Sequence, residues 1–415
     1  MRHLFATITC VTLTAVAVRT ADWPQWRGPG GTAIVASARP PAGWPTALTK
    51  RWSVPVGLGH ASPIVAGATV YVFARDGEQE VLRALDLASG KERWRSGYDA
   101  PYQMNPAARA HGKGPKSTPL FDRGRVFTLG ISGTVSAHDA ASGKLVWRKT
   151  LSGALAGAPA FGAATSPVAD DDRVIVFVGT TNRGALTAFD ATTGREQWSW
   201  AGDGPAYATP VVTTLGGTRQ VISQSQTAVV SVGASDGRLL WRLPFTTPYE
   251  QNSVTPLVVG DRVVVSGLDQ STLAVRPRLN GSEWTTDRAW AASAVPMYMS
   301  SPVAIGDTLF GFTHKQRGQL FSLDAATGKT HWTSPPRLGE NAAIVALGDS
   351  LLVLLDSGEL MVVAGSARGY QVDRRYTVAD SPTWAHPVPV ASSGAAVDGV
   401  LIKDERQLAL WLWSR

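Results

Sequence analysis

The sequence predicts an all-β protein: an eight-bladed β-propeller of four-stranded antiparallel blades, with the ring closed by an N-terminal strand. Three observations support this fold class. The 415-residue chain has 42 Gly and 26 Pro but only 17% charged residues, and short alternating apolar runs separate its turn residues, as in strands joined by tight turns. A motif ending in Trp recurs along the chain, and a Ser/Thr-Pro step precedes each repeated unit.

The recurring motif places Asp, Gly and Trp at fixed offsets. Four copies keep the same spacing: Asp86, Gly90 and Trp94; Asp139, Gly143 and Trp147; Asp190, Gly194 and Trp198; Asp324, Gly328 and Trp332. A fifth copy retains Gly237 and Trp241, and a sixth, ending at Trp284, is one residue short. We expect the Asp to bond the backbone of a tight turn, the Gly to adopt positive φ and the Trp to lie between blades. These residues are therefore predicted to be structural.

Six Ser/Thr-Pro steps and two weaker steps mark the starts of eight units. They are Ser62-Pro63, Thr118-Pro119, Ser166-Pro167, Thr209-Pro210, Thr255-Pro256, Ser301-Pro302 and the weaker Asn341-Ala342-Ala343 and His386-Pro387. Alternating apolar runs follow each start and predict four strands, which we call A to D. Such repeated four-stranded units are typical of propeller blades. The last unit lacks its strand D, and residues 50–55, which contain Trp52, are predicted to supply it.

The chain is predicted to comprise a signal peptide (1–17), an N-terminal arm (18–49) and the propeller (50–415). Arg2, the apolar segment after it and the small residues at 15–17 are typical of a secretory signal. Cleavage there would remove Cys10, the single cysteine, so the mature chain could form no disulfide. No later segment reaches the roughly 18 apolar residues of a membrane span. We expect a soluble protein, periplasmic or secreted.

The charge pattern disfavours a nucleic-acid partner, and the histidine spacing disfavours a metal site. The formal net charge is +7, but the basic residues are scattered along the chain. Scattered charge favours solubility over a nucleic-acid groove, and no nucleic-acid partner is predicted. The seven His residues show no His-x-x-x-His spacing, and no metal site is predicted.

The eleven-residue pattern Ala-x-Asp-x-x-Ser/Thr-Gly-x-x-x-Trp resembles the tryptophan-docking repeat of the quinoprotein-type (PQQ-like) eight-bladed propellers. The similarity extends from about residue 50 to 415, and the leader 22–29 also resembles that of exported PQQ-like repeat proteins. This family includes PQQ- and calcium-dependent dehydrogenases and non-catalytic exported propellers similar to the outer-membrane assembly factor BamB. The resemblance implies a non-catalytic scaffold that binds a protein or peptide in the cell envelope without a cofactor, as a monomer or as part of a complex.

Candidate binding residues lie just before each strand A, because propeller ligand sites surround the central channel on the face formed by the D-to-A and B-to-C connections. The candidates are Tyr102, Asn105, His111, Lys113, Lys116, Tyr249, Glu250, Asn252, Tyr298, Glu340, Asn341 and His386. His60, Tyr207 and Gln251 occupy the same connections. The longest connection, between Trp94 and Ser117, is predicted either to recognise a ligand or peptide or to cap the channel as a solvated loop.

The alternative is a PQQ- and calcium-dependent oxidoreductase acting on alcohols or sugars. Glu250, Asn252, Glu340 and Asn341 would then supply calcium ligands, with Glu250 or Glu340 near the quinone. The alcohol dehydrogenases of the family carry a vicinal disulfide beside the cofactor, and a chain with one cysteine cannot form it. The resemblance therefore favours the scaffold over the enzyme.

Overall fold

The computed structural model describes residues 22–35, 40–41, 43–392 and 396–413. These residues form eight sheets, each with four antiparallel strands that follow one another along the chain or close the ring. The predicted eight-bladed propeller is confirmed. The predicted signal peptide lies outside the described residues. None of the helices in the described ranges is long and apolar enough to cross a membrane.

The strands are numbered in chain order. The arm contributes β1 (Ile34–Val35), and the closing strand is β2 (Thr49–Pro55). Blades 1 to 4 consist of β3 (Ile64–Ala66), β4 (Thr69–Asp76), β5 (Gln79–Asp86) and β6 (Glu92–Asp99); β7 (Leu120–Asp122), β8 (Arg125–Leu129), β9 (Val135–Asp139) and β10 (Leu145–Lys149); β11 (Val168–Asp170), β12 (Arg173–Thr180), β13 (Arg183–Asp190) and β14 (Glu196–Trp200); and β15 (Val211–Leu215), β16 (Thr218–Gln224), β17 (Ala228–Gly233) and β18 (Leu239–Pro244).

Blades 5 to 8 complete the ring. They consist of β19 (Leu257–Val259), β20 (Arg262–Gly267), β21 (Gln270–Asn280) and β22 (Glu283–Ala292); β23 (Val303–Ile305), β24 (Thr308–Thr313), β25 (Gln319–Asp324) and β26 (Thr330–Thr333); β27 (Ala342–Leu347), β28 (Ser350–Leu355), β29 (Glu359–Ala364) and β30 (Val372–Thr377); and β31 (Val388–Val390), β32 (Gly399–Lys403) and β33 (Gln407–Leu412) with β2. Short 3-10 helices in the described ranges span Pro29–Gly31, Pro106–His111, Gly153–Leu155, Pro248–Glu250 and Lys315–Arg317.

The middle strands of most blades are largely buried because neighbouring blades cover both of their faces. In β12, Val174 to Val178 are all buried. The outer strand instead alternates between exposed and partly buried residues, as in β6. The core is thus distributed between the blades rather than gathered in one centre.

The ring closes through β2, as the sequence predicted. This strand pairs antiparallel with β33, with Ser53 opposite Ala409 and Val54 opposite Leu408. Blade 8 therefore takes its outer strand from the N-terminal part of the chain. Trp52 of this strand donates its indole N–H to the Leu87 carbonyl of blade 1, so the closing strand also docks onto the next blade.

The repeat tryptophans lie across blade junctions, and Trp94, Trp147 and Trp198 each pack against the turn glycine of the following blade. Trp94 donates its Nε1–H to the Ala140 carbonyl at 3.1 Å. A Cβ on Gly143, whose φ is 73°, would lie 2.4 Å from the Trp94 ring, so the close contact and the positive φ both require glycine. Equivalent indole bonds link Trp147 to Ala191, Trp198 to Ala234 and Trp332 to Ser366.

The motif aspartates close the turns between strands C and D. Asp139 accepts hydrogen bonds from the backbone N–H and the hydroxyl of Ser142 at 2.9 and 2.6 Å. Asp86, Asp190 and Asp324 make the same pair of bonds to Ser89, Thr193 and Thr327. These bonds hold the pKa of Asp139, Asp190 and Asp324 below the ordinary value. A hydrogen bond from Arg93, followed by those from Ser89, lowers the pKa of Asp86.

The assignment of Trp284 to the repeat is wrong. The β21–β22 hairpin is long, and Trp284 pairs with Leu279 near its tip. Trp290 instead lies opposite Ala274, as Trp94 lies opposite Ala84, and it packs on Gly328. Because this hairpin is longer than in the other blades, its Gly-containing turn lies away from the blade junction. The repeat spacing counted from that turn therefore selects Trp284 instead of Trp290. The preceding repeat residue, Trp241, bonds to Gln220 of its own blade.

The N-terminal arm packs into the propeller rather than lying outside it. Trp23 pairs with Val65 of blade 1, and Phe121 of blade 2 donates its N–H to the Pro24 carbonyl. Further along the arm, β1 runs parallel to β27 as a fifth strand of blade 7. The arm therefore connects the inner strands of blades that are far apart in sequence.

Candidate functional site at the channel mouth

Among the described residues, hydrogen bonds between neighbouring blade starts form a partial ring around the channel. The backbone N–H of one start donates to the side-chain hydroxyl of the next. Such bonds link Ser62 to Thr118, Thr118 to Ser166, Ser166 to Thr209, Thr255 to Ser301 and His386 to Ser62, at 2.9 to 3.1 Å. The Ser/Thr side chain of the repeated step therefore joins neighbouring blades, and the ring fixes the positions of the residues just before it.

A cavity of about 240 Å³ opens inside this ring, and we call it the cup. Seven of its lining residues stand two positions before a blade start: His60, Lys116, Ala164, Tyr207, Ser253, Met299 and Trp384. The remaining lining residues are Trp26, Ala107, His111, Phe161, Thr209, Gln251, Thr255 and Tyr298. The position two residues before each blade start thus supplies about half of the residues that line the cup.

Trp26 of the arm forms the floor of the cup. Its indole N–H donates to Thr255 Oγ1 at 3.1 Å, and its ring meets the His386 ring edge-to-face at 4.3 Å. Trp26 also lines a second cavity, together with Gln25 and Val211. Thr209 and Thr255 line both cavities as well, so the two adjoin at Trp26.

Arg27 anchors the arm beside this floor. The buried guanidinium donates to the carbonyl oxygens of Gly31 and Thr32 at 3.1 Å and to that of Pro302. Burial lowers the pKa of Arg27 to about 9. Arg27 is held both by the arm and by the start of blade 6. It therefore fixes the position of Trp26, the residue before it.

Aromatic rings form the walls of the cup. The His111 and Trp384 ring centroids lie 4.7 Å apart edge-to-face, and those of Phe161 and Tyr207 lie 5.9 Å apart in the same arrangement. The Tyr298 hydroxyl is hydrogen-bonded to Gln251 Oε1. The walls therefore offer apolar ring surface together with a few polar atoms that can fix the orientation of an occupant.

The cup contains nitrogen bases and no carboxylate among its described lining residues. Burial, followed by the charges of Lys403, His111 and Lys116, lowers the pKa of His60 to about 3. Burial, followed by the Lys116 charge, lowers the pKa of His111. Burial also lowers the pKa of Lys116 to about 8. At neutral pH the site therefore holds neutral imidazoles beside one ammonium group.

Three of the predicted site residues line the cup: His111, Lys116 and Tyr298. Two more, Tyr102 and Asn105, line an adjoining groove together with Pro101, Pro106 and residues 157–160. Asn105 also caps the short helix Pro106–His111 by accepting the N–H of Ala107 at 3.0 Å. The long connection after Trp94 thus contributes to both the cup and the groove.

Three other predicted residues are buried in contacts within the protein. The Asn252 amide donates to the carbonyl oxygens of Ser225 and Phe245 at 2.7 and 2.9 Å. Asn341 accepts the Ser300 hydroxyl at 2.6 Å. His386 lies behind Trp26, and burial holds its pKa well below the ordinary value. These side chains support the channel wall and do not line the cup.

The last four predicted residues lie outside the cup. Lys113 is partly exposed and forms an ion pair with Glu78 at 3.8 Å. Glu340 is exposed, and its backbone N–H bonds to Asp356. Tyr249 is 80% exposed, and both it and Glu250 have positive φ, at 60° and 55°. Because Gln251 lines the cup, this strained turn displays an aromatic side chain close to the site.

Sequence reasoning missed Trp26, Phe161 and Trp384. Trp384 was recognisable, because it stands two positions before His386, as His60 stands before Ser62. Phe161 lies in a D-to-A connection but outside that register. Trp26 belongs to the arm, and no repeat position marks it. Its contact with Thr255 spans 229 residues.

Comparisons with known proteins agree with this architecture. The family model described as "Outer membrane protein assembly factor BamB" matches residues 77–334. BamB of Shewanella oneidensis is 26% identical over 348 residues, covering 83% of this chain and 71% of that protein. Among solved structures, quinohemoprotein alcohol dehydrogenase from Comamonas testosteroni superposes with a TM-score of 0.70 at 14% identity, covering 97% of this chain and 82% of that one. BamB from Moraxella catarrhalis superposes with a TM-score of 0.61 at 14% identity, covering 88% and 98%.

Proposed function

Because the chain belongs to the family of the outer membrane protein assembly factor BamB, we propose that it is a non-catalytic exported scaffold that binds a protein or peptide partner in the cell envelope. The relatives of this family carry that assembly role in their name. The partner contacts the channel-mouth face, where the cup, the groove and Tyr249 lie together. The proposed location in the envelope rests on the signal peptide expected from residues 1–17.

The observation that carries this proposal is the cup itself. It is an aromatic cavity of about 240 Å³, smaller than the roughly 300–1,000 Å³ typical of small-molecule and cofactor sites. A cavity of this size accommodates an anchoring side chain from a partner, and buried aromatic pockets of this kind usually supply most of the binding energy of an interface. The exposed Tyr249 adds an aromatic contact outside the cup.

The donor set does not fit the quinone alternative. A calcium ion prefers several carboxylate and amide oxygens, but Glu250 and Glu340 are not among the cup residues. The amides of Asn252 and Asn341 are already bonded to Ser225 and Ser300. Among the described residues, no three His, Cys, Asp or Glu side chains lie together in a way that could hold a metal ion. The resemblance to the alcohol dehydrogenase at 14% identity supports the fold alone.

The scaffold proposal is tested by site-specific photo-crosslinking in intact envelopes. A photo-crosslinking amino acid replaces Tyr249 beside the cup in one strain, and in a second strain it replaces Leu145, which is 41% exposed on the outer strand of blade 2. We expect one discrete adduct from position 249 and none of the same mass from position 145. Adding Trp384→Ala should remove the adduct, whereas Trp284→Ala, which is remote from the cup, should not.

Equal labelling from both positions, or an adduct that survives Trp384→Ala, would contradict the use of this face. The enzyme alternative is tested separately by mixing the purified chain with PQQ and Ca²⁺ and measuring dye reduction with alcohols and sugars. We expect no reduction above a protein-free control. Reduction that depends on Glu250 or Glu340 would replace the scaffold proposal with the oxidoreductase.

A further inference from the structure

The cup contains one ammonium group without a carboxylate partner. Lys116 Nζ donates to the Phe161 carbonyl at 2.7 Å, and an ammonium group has three donors. Within the described part of the chain, the ion pairs made by lysines involve Lys113 and Lys315, and none involves Lys116. Donor capacity therefore remains on a positive group that lines the cavity.

A second positive group lies behind the cup. Lys403 is buried, and its Nζ donates to the carbonyl oxygens of Gly59 and Asp404. Its charge also disfavours a proton on His60, a cup residue. The charges of Asp404 and Glu405 favour the charged form of Lys403, whereas no ion pair of the described residues involves Lys116. A partly buried positive charge without a counter-ion is unfavourable, and a carboxylate in the cup would compensate that of Lys116.

The same cavity favours an aromatic group. Trp26 closes the floor, Phe161 and Trp384 line the walls, and their ring contacts are edge-to-face. Such a site gains free energy from burying a ring as well as from pairing a charge. The occupant that satisfies both features carries an anionic and an aromatic group side by side.

The surroundings of the cup favour a peptide. The groove lined by 101–106 and 157–160 is continuous in sequence with cup residues, since Ala107 follows the first segment and Phe161 follows the second. An extended chain anchored in the cup can therefore continue along the groove. We propose that the cup binds a partner segment in which an acidic residue stands next to an aromatic one, with the carboxylate paired to Lys116 and the ring held by Trp26, Phe161 and Trp384. This inference rests on the scaffold function proposed above.

The test uses short peptides capped at both ends, so that one side chain carries the only charge. Calorimetry compares Gly-Glu-Phe-Gly with peptides in which Gln replaces Glu or Ala replaces Phe. The full mature chain is measured as wild type, Lys116→Met, Lys116→Arg and Lys113→Met. Lys113 is the matched control because it is three residues away and pairs with Glu78 outside the cup.

We expect the Glu-to-Gln change and Lys116→Met each to weaken binding about tenfold or more, since each removes one charge-assisted hydrogen bond. The two changes together should weaken binding little more than either alone. Lys116→Arg should restore most of the affinity, and Lys113→Met should change it less than about twofold. Phenylpropionate, which carries the same groups without a peptide backbone, should bind more weakly than the peptide.

Equal affinity for the Glu and Gln peptides, or no binding of either, would overturn the acidic-aromatic specificity. Tighter binding of phenylpropionate than of the peptide would overturn the peptide assignment. The scaffold function would survive these failures if the adduct from position 249 still depended on Trp384. Loss of that dependence would reject the scaffold function itself.

Discussion

The Ser62 hydroxyl accepts the backbone N–H of His386 at 2.9 Å, although the two residues are 324 positions apart. Both atoms are buried. This bond connects the first blade start to the last and belongs to the partial ring of hydrogen bonds around the cup. The β2–β33 pairing closes the same blade at its outer edge. The propeller is therefore closed twice, once at the channel and once at the periphery.

Ser62→Ala should destabilise the propeller by about 1–3 kcal/mol, because it leaves the buried His386 N–H without an acceptor. Ser62→Thr keeps the hydroxyl, as Thr118 does at the equivalent position, and should remain near wild type. Urea denaturation measures both variants. Equal stability of the Ala and Thr variants would show that the bond does not support ring closure.

Trp147→Ala should cost about 3–5 kcal/mol, because it removes a buried ring from a blade junction. The ring packs on Gly194, and its N–H bonds to the Ala191 carbonyl. Trp284→Ala is the control, since that side chain lies near a hairpin tip, and it should cost clearly less. Peptide affinity of the folded Trp147→Ala protein should be unchanged. A variant that folds normally but loses binding would place Trp147 in the binding site instead.

Arg27→Lys should release the arm although it retains the positive charge. The guanidinium donates to three carbonyl groups of the arm and blade 6, and a lysine ammonium cannot reproduce that fork geometry. We expect faster hydrogen exchange of the amides in 22–35 and weaker peptide binding, since Trp26 would no longer be held at the floor. Arg93→Lys, at a partly exposed ion pair with Asp86, should leave both properties unchanged. Unchanged exchange in Arg27→Lys would mean that other contacts hold the arm.

The stability of the fold should fall as the pH drops from about 6.5 toward 4. Burial lowers the pKa of His138 to about 4, whereas a histidine in the unfolded chain titrates near 6.5. The unfolded chain therefore binds the proton first, and stability present above pH 6.5 is lost through this window. Each such histidine contributes about 1.4 kcal/mol per pH unit at most. His60 and His386, whose pKa values burial also lowers, act in the same direction.

Urea midpoints at pH 7 and pH 5 test this dependence. His138→Phe should reduce the difference between the two midpoints, because one buried titrating group is removed. His331→Gln changes a histidine that is exposed in the folded chain and serves as the control. If the difference between the two midpoints is the same in His138→Phe as in wild type, other groups cause the acid sensitivity.

The cup shows where sequence reasoning succeeded and where it stopped. Lys116 and His111 were predicted because they precede a blade start, and the register also contained Trp384. Asn341 and His386 belong to the same connections, but their side chains lie inside the wall. Asn341 is hydrogen-bonded to Ser300, and the His386 ring packs against Trp26. Position along the repeat specifies which connection a residue occupies, whereas packing decides whether its side chain reaches the cavity.

The sequence by itself determined the number of blades, the tryptophan junctions and the closing strand. The blade number and the junctions follow from a spacing that recurs along the chain, and the closing strand follows from the strand D that the last unit lacks. Only the tertiary structure decided the path of the arm, the position of Trp26 under the cup and the replacement of Trp284 by Trp290 at a junction. Contacts such as that between Trp26 and Thr255 depend on how the closed ring brings distant segments together, and no periodic pattern records them.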